Sequence, residues 1–449
     1  MHIVIIGNGV TGITAARFLR KGSSHKITVV SSESEHFFSR TALMYIYMGH
    51  MKFEHTKPYE DFFWEKNDIT LVYDHADRFD SGAKTVYLKS GKTLSWDKLI
   101  IATGSKPNKF GWPGQDLEGV QGLYSKQDLE LMEQNTAGIK KGVIVGGGLI
   151  GIEVAEMLHS RGIEVTMLVR ESGYWNIILP EEESAMINSE IRYHHIDLRL
   201  ATELAEIRAG RDGRVASVVT SEGDEIECQF VALTAGVSPN TDLARVSDLA
   251  IGRGVRVNRY FETSAADVYA AGDCAEFTEV PEGEMPVEQL WYTGRMQGEA
   301  LARVLLGDRK KYDRGIWYNS AKFFNVEYQT YGQVPPALPE GFRTFIWQHP
   351  QERVFFRIVY RKDNDAVTGF NVLGMRLRQA VCENWIRDGV SVTTALEHLG
   401  EAVFDPELFS KHEKAIVAAW NEGNPAQRIT LKKKRGLYGV FQFLNLQKA

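Results

Sequence analysis

The sequence predicts an α/β fold with two Rossmann-like units and a smaller C-terminal α+β domain. A buried-strand pattern, a glycine-rich turn and an apolar helical stripe follow one another at the N-terminus, and the same order recurs from residue 143. From about residue 313 the sequence becomes rich in aromatic residues with the alternation of strands, and helical segments follow at 375–422. These three observations predict two sheet-and-helix units followed by a domain of a different kind.

The first unit begins with the apolar residues 3–6, which predict a buried strand. A turn containing Gly7, Gly9 and Gly12 follows, and apolar residues then recur at helical spacing up to a break at Gly22. Residues 27–30 predict the next strand. A hairpin is predicted at 85–94, and residues 98–101 predict another buried strand.

The second unit repeats this order. Residues 143–145 predict a strand, and the turn that follows contains Gly146, Gly148, Ile150 and Gly151. A helix and a strand at 165–169 come next. Two such units in one chain predict two bound nucleotides.

Each glycine turn follows a strand and opens a helix, which is the context that the dinucleotide-binding fingerprint requires. The first glycine permits a tight turn, the second lets the backbone approach a pyrophosphate, and the third lets helix and strand pack closely. The helix N-terminus offers N–H groups and a partial positive charge to the phosphates. Both units are therefore predicted to be dinucleotide-binding domains.

The residues after the second strand of each unit bear on which ribose is bound. In the first unit Ser31 holds this position, and Glu33 is the candidate for hydrogen bonds to ribose hydroxyls. In the second unit Arg170 follows the strand, where it can pair with a 2′-phosphate, and this favours NADPH over NADH. Two alternatives remain open: Arg170 is a solvated surface charge, or Glu171 reaches a ribose.

Composition excludes several classes of protein. The 449 residues suggest two or three domains, and a net charge of −6 disfavours nucleic acid as a partner. The three cysteines form no C-x-x-C pair, which disfavours a disulfide scaffold or a zinc site. His194 and His195 are adjacent, so in a strand they would face opposite sides, and we expect no metal. We find no signal peptide pattern and no apolar run of membrane-spanning length, and we expect a cytoplasmic protein.

Several separated segments together resemble one family. They are the two glycine turns, Ala102-Thr103-Gly104-Ser105 with Pro107, Glu153 after the second turn, the segment from Gly236 to Asn240, and Gly272-Asp273. In this order they resemble the flavin-dependent pyridine nucleotide-disulfide oxidoreductase superfamily. The resemblance implies an FAD-binding domain at 1–110 and 237–312, an NAD(P)-binding domain at 111–236, and a C-terminal domain at 313–427 that commonly forms a homodimer interface.

The resemblance also implies roles for single residues. Asp273 matches the aspartate that bonds the FAD ribityl chain or phosphate, and Glu153 matches a glutamate near the junction of flavin and nicotinamide. Leu149 stands where disulfide reductases often have an aromatic gate. The predicted cofactor-binding residues are Gly7, Gly9, Gly12, Glu33, Arg40, Ala102, Thr103, Gly104, Gly146, Gly148, Ile150, Gly151, Glu153, Arg170, Gly236, Gly272 and Asp273.

The sequence departs from part of that family at Thr41. The stretch from Phe38 to Tyr45 resembles the one that carries a single redox cysteine in coenzyme A-disulfide reductases and NADH oxidases, and threonine forms no thiolate. Ser39-Arg40 resembles NADH-dependent rubredoxin and ferredoxin reductases and the flavin-binding part of nitrite reductase. For Arg40 this resemblance implies that its positive charge stabilises a reduced flavin or the flavin pyrophosphate. The alternative is an ordinary surface arginine.

The sequence therefore predicts an FAD-dependent oxidoreductase that takes hydride from NAD(P)H and passes electrons to a non-disulfide acceptor, namely an iron–sulfur or rubredoxin-type carrier protein, a quinone or oxygen. The predicted catalytic residues are Glu153, Arg40 and Thr41. One alternative is an enzyme like coenzyme A-disulfide reductase or NADH oxidase with an altered active site. Another is a partner-binding flavoprotein like apoptosis-inducing factor. The basic, aromatic tail at 428–449 is expected to dock on its own domain, to recruit a carrier, or to make weak peripheral membrane contact.

Overall fold

A computed structural model describes residues 1–404 and 410–432. The chain divides into two compact units: the first contains residues 1–170 and 202–314, and the second contains 171–201 and the described residues from 315 onward. None of the helices in the described ranges has the length and apolar character needed to span a bilayer.

The elements are numbered in chain order. The strands are β1 (His2–Ile6), β2 (Lys26–Ser31), β3 (Ile69–Tyr73), β4 (Ala76–Asp80), β5 (Thr85–Leu88), β6 (Thr93–Ser95), β7 (Lys98–Ile101), β8 (Ser105–Pro107), β9 (Val120–Gln121), β10 (Lys141–Val145), β11 (Glu164–Val169), β12 (Asp197–Leu200), β13 (Leu204–Ala209), β14 (Val215–Thr220), β15 (Glu225–Glu227), β16 (Phe230–Leu233), β17 (Val237–Pro239), β18 (Val255–Val257), β19 (Val268–Ala270), β20 (Ala275–Phe277), β21 (Tyr318–Phe323), β22 (Val326–Gly332), β23 (Phe342–Gln348), β24 (Phe355–Arg361) and β25 (Val367–Leu373). The helices are α1 (Val10–Gly22), α2 (Leu43–Tyr47), α3 (Phe62–Lys66), α4 (Lys126–Asn135), α5 (Leu149–Ser160), α6 (Glu181–Tyr193), α7 (Asp242–Val246), α8 (Trp291–Leu305), α9 (Gln379–Arg387), α10 (Val392–Glu397), α11 (Leu399–Ala402) and α12 (Glu413–Gly423).

The first unit contains a parallel sheet in the order β19-β7-β1-β2-β3. Its central strand β1 is an unbroken apolar run because the sheet is covered on both faces, and Ile3, Val4 and Ile5 are fully buried. Helix α1 packs against α8. The two helices approach closely at Gly298, where an added Cβ would lie 2.5 Å from the backbone oxygen of Thr11.

A second parallel arrangement in the same unit joins β11, β10, β16 and β9 in that order. Smaller antiparallel groups lie beside these sheets: β4-β5-β6, β13-β14-β15 and the pair β17-β8. The predicted hairpin at 85–94 is confirmed by the antiparallel pairing of β5 with β6. Parallel sheets alternating with helices confirm the predicted α/β class.

The second unit is built on an antiparallel sheet in the order β21-β22-β25-β24-β23. Helices α9 to α12 follow the sheet in the chain, as the sequence predicts, and contribute to a core that includes Trp420. Helix α6 belongs to this unit as well. Its Glu183 is fully buried and accepts two hydrogen bonds from Arg357 of β24, from Nε at 2.6 Å and from the NH2 group at 2.7 Å.

The two adjacent histidines lie at the end of α6. His194 is the C-terminal cap of the helix, and His195 lies in the following turn with a φ of +59°. Neither residue lies in a strand, so the argument from alternating strand faces does not apply to them. The His194 ring instead stacks on Phe324 at 4.2 Å and contacts Glu190 at 3.0 Å, which is a structural role.

Candidate functional site

The first glycine turn forms an open cradle at the N-terminus of α1. Gly7 has a φ of +111°, and a Cβ there would lie 2.1 Å from the carbonyl oxygen of Ala102, so no other residue fits. A Cβ at Gly9 would meet no heavy atom within 4 Å, which leaves space over the backbone for a phosphate. At Gly12 a Cβ would lie 2.0 Å from the Gly7 oxygen, because helix and strand pack closely here. This geometry fits a dinucleotide pyrophosphate.

Asn8 fixes the shape of this first turn. Its amide nitrogen donates to the Ser34 carbonyl at 2.8 Å, and its side-chain oxygen accepts from the Ser31 hydroxyl at 2.9 Å. The serine at the end of β2 therefore supports the turn. Sequence reasoning missed this pair, because Asn8 occupies a position of the fingerprint that carries no residue requirement.

The second glycine turn has the same geometry at the N-terminus of α5. Gly146 has a φ of +126° and lies against the carbonyl of Thr234, which a Cβ would approach to 2.6 Å. A Cβ at Gly148 would again meet no heavy atom within 4 Å. Ile150 and Gly151 belong to the first turn of α5, and Gly151 is buried. The backbone of this turn fits a second dinucleotide.

The segments around Asp273 come together near the first turn. Gly272 has a φ of +79°, and its N–H donates to Gln297 at 2.7 Å. Asp273 follows and accepts a hydrogen bond from the Ser105 hydroxyl at 3.0 Å. Burial raises the pKa of the Asp273 carboxyl. A partly buried acceptor held in this way suits a hydroxyl-bearing ligand.

The segment from Ala102 to Gly104 connects β7 to β8. The Thr103 hydroxyl donates to the Asn240 carbonyl at 2.7 Å, and the Asn240 N–H donates to the Gly104 carbonyl at 2.8 Å. Gly236 precedes β17 and accepts the Asn108 N–H at 3.1 Å. These bonds join chain segments that lie far apart in the sequence but together in the predicted site.

Arg40 is held by Glu33. Its two terminal nitrogens lie 2.7 and 2.6 Å from the two oxygens of the Glu33 carboxylate. The Lys126 N–H also donates to this carboxylate, at 3.0 Å. Arg40 is therefore a paired, partly buried residue, and the alternative of an unattached surface arginine does not describe it. The predicted contact of Glu33 with a ribose stays a prediction.

Tyr124 is a site residue that the sequence did not reveal. The Arg40 guanidinium lies 4.4 Å from the centre of its ring and donates to its backbone carbonyl at 2.6 Å. The Tyr124 hydroxyl accepts the Ser105 N–H at 2.9 Å and lies 3.5 Å from Asp273. Burial, and then the negative charge of Asp273, raise the pKa of Tyr124 to about 12. Tyr124 thus connects the two charged residues predicted to hold the first cofactor.

Thr41 lies in the short 3₁₀ turn Arg40–Ala42 and is exposed. Its hydroxyl contacts that of Ser39 at 3.1 Å. Cys228, Cys274 and Cys382, which are all the cysteines of the sequence, are free and buried. Burial raises the pKa of the Cys274 thiol. Neither Thr41 nor these buried thiols offer a reactive thiolate.

Glu153 and Arg170 border the second turn. Glu153 lies in α5 and is partly buried, and burial, helped by the charge of Glu156, raises its pKa from 4.5 to about 7. It can therefore exchange a proton near neutral pH. Arg170 directly follows β11 and is exposed.

Within the described ranges one group of side chains has the make-up of a metal site. The ligand atoms of His349, Glu352 and His412 lie within 4.8 Å of one another. The Nδ1 atom of His349, however, accepts the N–H groups of Gln351 at 3.2 Å and Glu352 at 2.8 Å. A cation on Nε2 would require a proton on Nδ1, facing these two N–H groups. The His349 ring thus stabilises a turn by accepting hydrogen bonds from its backbone. The expectation of no metal stays a prediction.

Comparisons with known proteins extend this picture. The sequence pattern of the pyridine nucleotide-disulphide oxidoreductase family matches residues 1–298. Rhodocoxin reductase from Rhodococcus erythropolis is 30% identical over 332 residues, which are 72% of this chain and 76% of that protein. The assimilatory nitrate reductase electron transfer subunit of Bacillus subtilis is 26% identical over 68% of this chain, and this chain spans only 39% of its length.

A solved structure also resembles this fold. The NAD-dependent persulfide reductase of A. fulgidus superposes with a TM-score of 0.81 at 25% identity, over 95% of this chain and 84% of that one. The family match covers both glycine turns, Glu153 and Asp273. The chain therefore belongs to the pyridine nucleotide-disulphide oxidoreductase family, and it is an oxidoreductase that uses FAD and a nicotinamide nucleotide.

Proposed function

We propose that this protein takes electrons from NAD(P)H and delivers them to a small electron-carrier protein instead of a disulfide. The observation that carries the proposal is the pair of glycine cradles combined with Thr41, where related disulfide reductases are expected to have their cysteine. The names of two relatives, an electron transfer subunit and a reductase of rhodocoxin, support such an acceptor.

We assign the first turn and Asp273 to FAD. Gly7, Gly9 and Gly12 shape the turn so that N–H groups at the N-terminus of α1 face its pyrophosphate, while Asp273 accepts hydrogen bonds from its hydroxyls. Arg40, fixed by Glu33, provides positive charge beside the same site. Bound FAD would supply two-electron chemistry with NAD(P)H and one-electron chemistry with the acceptor, so that one NAD(P)H would reduce two one-electron carriers with release of one proton.

We assign the second turn to the nicotinamide nucleotide. Gly146, Gly148 and Gly151 form its pyrophosphate cradle, and Arg170 favours the 2′-phosphate of NADPH. Glu153, with a pKa near neutral, lies two residues after Gly151 in α5, where it can hold or release a proton beside the bound nucleotide.

We keep the predicted domain division, an FAD-binding domain at 1–110 and 237–312 with an NAD(P)-binding domain at 111–236, as part of this proposal. The C-terminal domain at 313–427 is proposed to mediate a homodimer. Most of the basic tail, residues 433–449, lies outside the described residues. The last described residues dock on their own unit: Ile429 is buried, and Lys432 pairs with Glu397 at 2.6 Å.

The test is an anaerobic titration of the purified flavoprotein with NADH and with NADPH, followed by mixing with acceptors. We expect the flavin absorbance to bleach with one equivalent of nucleotide and to return on addition of a ferredoxin or a rubredoxin. Coenzyme A disulfide and a persulfide should be turned over at background rates, because Thr41 forms no mixed disulfide. Failure of both nucleotides to bleach the flavin overturns the proposal.

The same experiment separates the alternatives. Rapid turnover of coenzyme A disulfide supports an altered disulfide reductase, in which another group replaces the missing cysteine. Slow reoxidation with every acceptor supports a partner-binding flavoprotein like apoptosis-inducing factor. A Thr41→Ser variant serves as the matched control, since it preserves the hydroxyl and should change neither half of the reaction.

A further inference from the structure

Arg161 connects the helix of the second cradle to the loop beside the first. It is the C-terminal cap of α5, at the opposite end of this helix from Gly148. Its side chain contacts Tyr47, the last residue of α2, and Glu133 of α4. Helix α2 in turn follows the 3₁₀ turn that contains Arg40 and Thr41. One guanidinium thus joins the end of α5 to residues from two other helices, α2 and α4.

The contact with Tyr47 is both polar and stacked. The Nε and NH2 groups of Arg161 donate to the Tyr47 carbonyl at 3.0 and 2.5 Å. This carbonyl ends a five-residue helix, where backbone oxygens have no partner within the helix. The guanidinium also lies 3.5 Å from the centre of the Tyr47 ring. Arg161 therefore fixes both the backbone and the side chain at the end of α2.

Two further contacts involve α4: Arg161 pairs with Glu133, and Tyr47 contacts Thr136. The Arg161 NH1 and NH2 groups donate to the two Glu133 oxygens at 2.7 and 2.6 Å, a bidentate pair. The Thr136 hydroxyl donates its hydrogen to the Met132 carbonyl at 2.7 Å. It therefore accepts from the Tyr47 hydroxyl, whose oxygen also lies 2.7 Å away. Tyr47 is almost completely buried. The geometry of α2 is thus set by residues from α4 and the end of α5.

We infer that Arg161 is a positioning residue for electron transfer between the two nucleotides, an inference that rests on the proposed function. Helix α5 begins at the nicotinamide cradle and ends at Arg161, while α2 continues from the turn beside the FAD cradle. The guanidinium joins these two elements at a fixed separation. In the transfer, NAD(P)H gives two electrons and one hydrogen nucleus to the oxidised flavin and becomes NAD(P)⁺. Its rate depends steeply on the distance between the reacting atoms, since a misplacement of about 1 Å costs on the order of 100-fold. A shift of α5 relative to α2 would change that distance.

The test compares Arg161→Met with Arg161→Lys and with Arg208→Met. Arg208 is also in the first unit and pairs with two carboxylates, but these are Glu206 and Glu225 of the three-stranded sheet β13-β14-β15. Flavin reduction is followed by anaerobic stopped flow with NAD(P)H and its 4-deuterated form. Hydrogen–deuterium exchange of residues 43–50 provides a readout that does not depend on activity.

We expect Arg161→Met to retain FAD, to exchange residues 43–50 faster and to reduce flavin about tenfold more slowly, with an isotope effect at least as large as that of the native protein. Arg161→Lys should recover part of the rate, and Arg208→Met should match the native protein. Reduction within twofold of the native rate in Arg161→Met, or equal slowing in Arg208→Met, overturns the inference. Absence of any reduction in the native protein would instead overturn the proposed function, a result that this comparison distinguishes.

Discussion

The two glycine turns have nearly the same backbone but different surroundings. Gly7 and Gly146 both have φ values that exclude side chains, and Gly9 and Gly148 both have open space before them. The first turn is fixed by Asn8 and lies near a network that runs from Glu33 through Arg40 and Tyr124 to Asp273. Beside the second turn, Glu153 is the site residue whose pKa departs from its ordinary value. The first set of contacts fits the proposed assignment of the first turn to FAD, the cofactor that is expected to stay bound, while the nicotinamide nucleotide is proposed to bind at the second turn and to exchange.

The largest effect is expected when valine replaces the equivalent glycine in each turn. Gly9→Val and Gly148→Val place a side chain where each Cβ meets no atom within 4 Å, so both variants should fold. We expect Gly9→Val to be purified without FAD. Gly148→Val should retain FAD but lose about 100-fold in reduction by NAD(P)H, because the nucleotide is displaced from its productive position. Flavin absorbance and stopped-flow reduction measure the two effects. Loss of FAD from both variants would contradict the assignment of separate cradles.

The next test concerns Arg40. Arg40→Met removes a bidentate, charge-assisted pair, and we expect the affinity for FAD to fall about tenfold, or about 1.4 kcal/mol. Isothermal titration of the flavin-free protein with FAD measures this. Glu33→Gln is the matched variant, since it weakens the pair but leaves the guanidinium in place. An equal loss in both variants would mean that the pair shapes the loop and that Arg40 makes no separate contribution to FAD binding.

A smaller effect is expected from the pH dependence of Glu153. Its pKa is raised from 4.5 to about 7 in the folded protein. Between these values the unfolded chain loses the proton while the folded protein keeps it, so the free energy of unfolding falls as the pH rises and stays lower above pH 7. Glu153→Gln should therefore stabilise the protein by about 1–3 kcal/mol at pH 8 and leave it unchanged near pH 4.5.

Thermal unfolding of the native protein and of Glu153→Gln across this pH range measures that effect. Glu164→Gln, at an exposed position of β11, is the control and should show no such dependence. A destabilised Glu153→Gln variant at pH 8 would show that the carboxylate has a favourable partner. Such a result would contradict the inference that Glu153 lacks a stabilising partner among the described residues beside the second turn, in contrast to the paired charges beside the first.

The smallest effect is expected at Tyr124. Tyr124→Phe keeps the ring under Arg40 but removes the acceptor of the Ser105 N–H, which should cost about 1 kcal/mol in stability. The flavin absorbance spectrum should shift as well, since the hydroxyl lies beside Asp273. Differential scanning calorimetry and absorbance spectroscopy measure the two changes. An unchanged spectrum would remove Tyr124 from the FAD site.

The features of the site that consecutive residues form can be predicted from the sequence, whereas contacts between distant residues cannot. The glycine turns are predictable because strand, turn and helix are consecutive and the steric demand on Gly7 or Gly146 is local. Tyr124 is not, since a single tyrosine in a connecting segment has no pattern, and its contact with Arg40 crosses 84 residues. The surroundings of His194 are not predictable either, because its stacking on Phe324 joins residues that are distant in the sequence.

The fold shows the same limit. The alternation of strands and helices predicts the α/β class, but it does not show that α6 belongs to the second unit. That association depends on Glu183 and Arg357, and rules that place charged residues at the surface exclude such a pair from the core. A buried ion pair between residues 174 positions apart becomes visible only when the chain is folded.

The buried pair of Glu183 and Arg357 has a consequence for dissecting the protein. The chain crosses between the two compact units after residues 170, 201 and 314, so no single cut separates them. A truncation after Arg314 would leave Glu183 without its guanidinium, at a cost of about 3–5 kcal/mol. The removable module is therefore discontinuous in sequence. An independent first unit needs a short linker in place of residues 171–201 as well as a new C-terminus, and domain exchange among relatives must move both segments together.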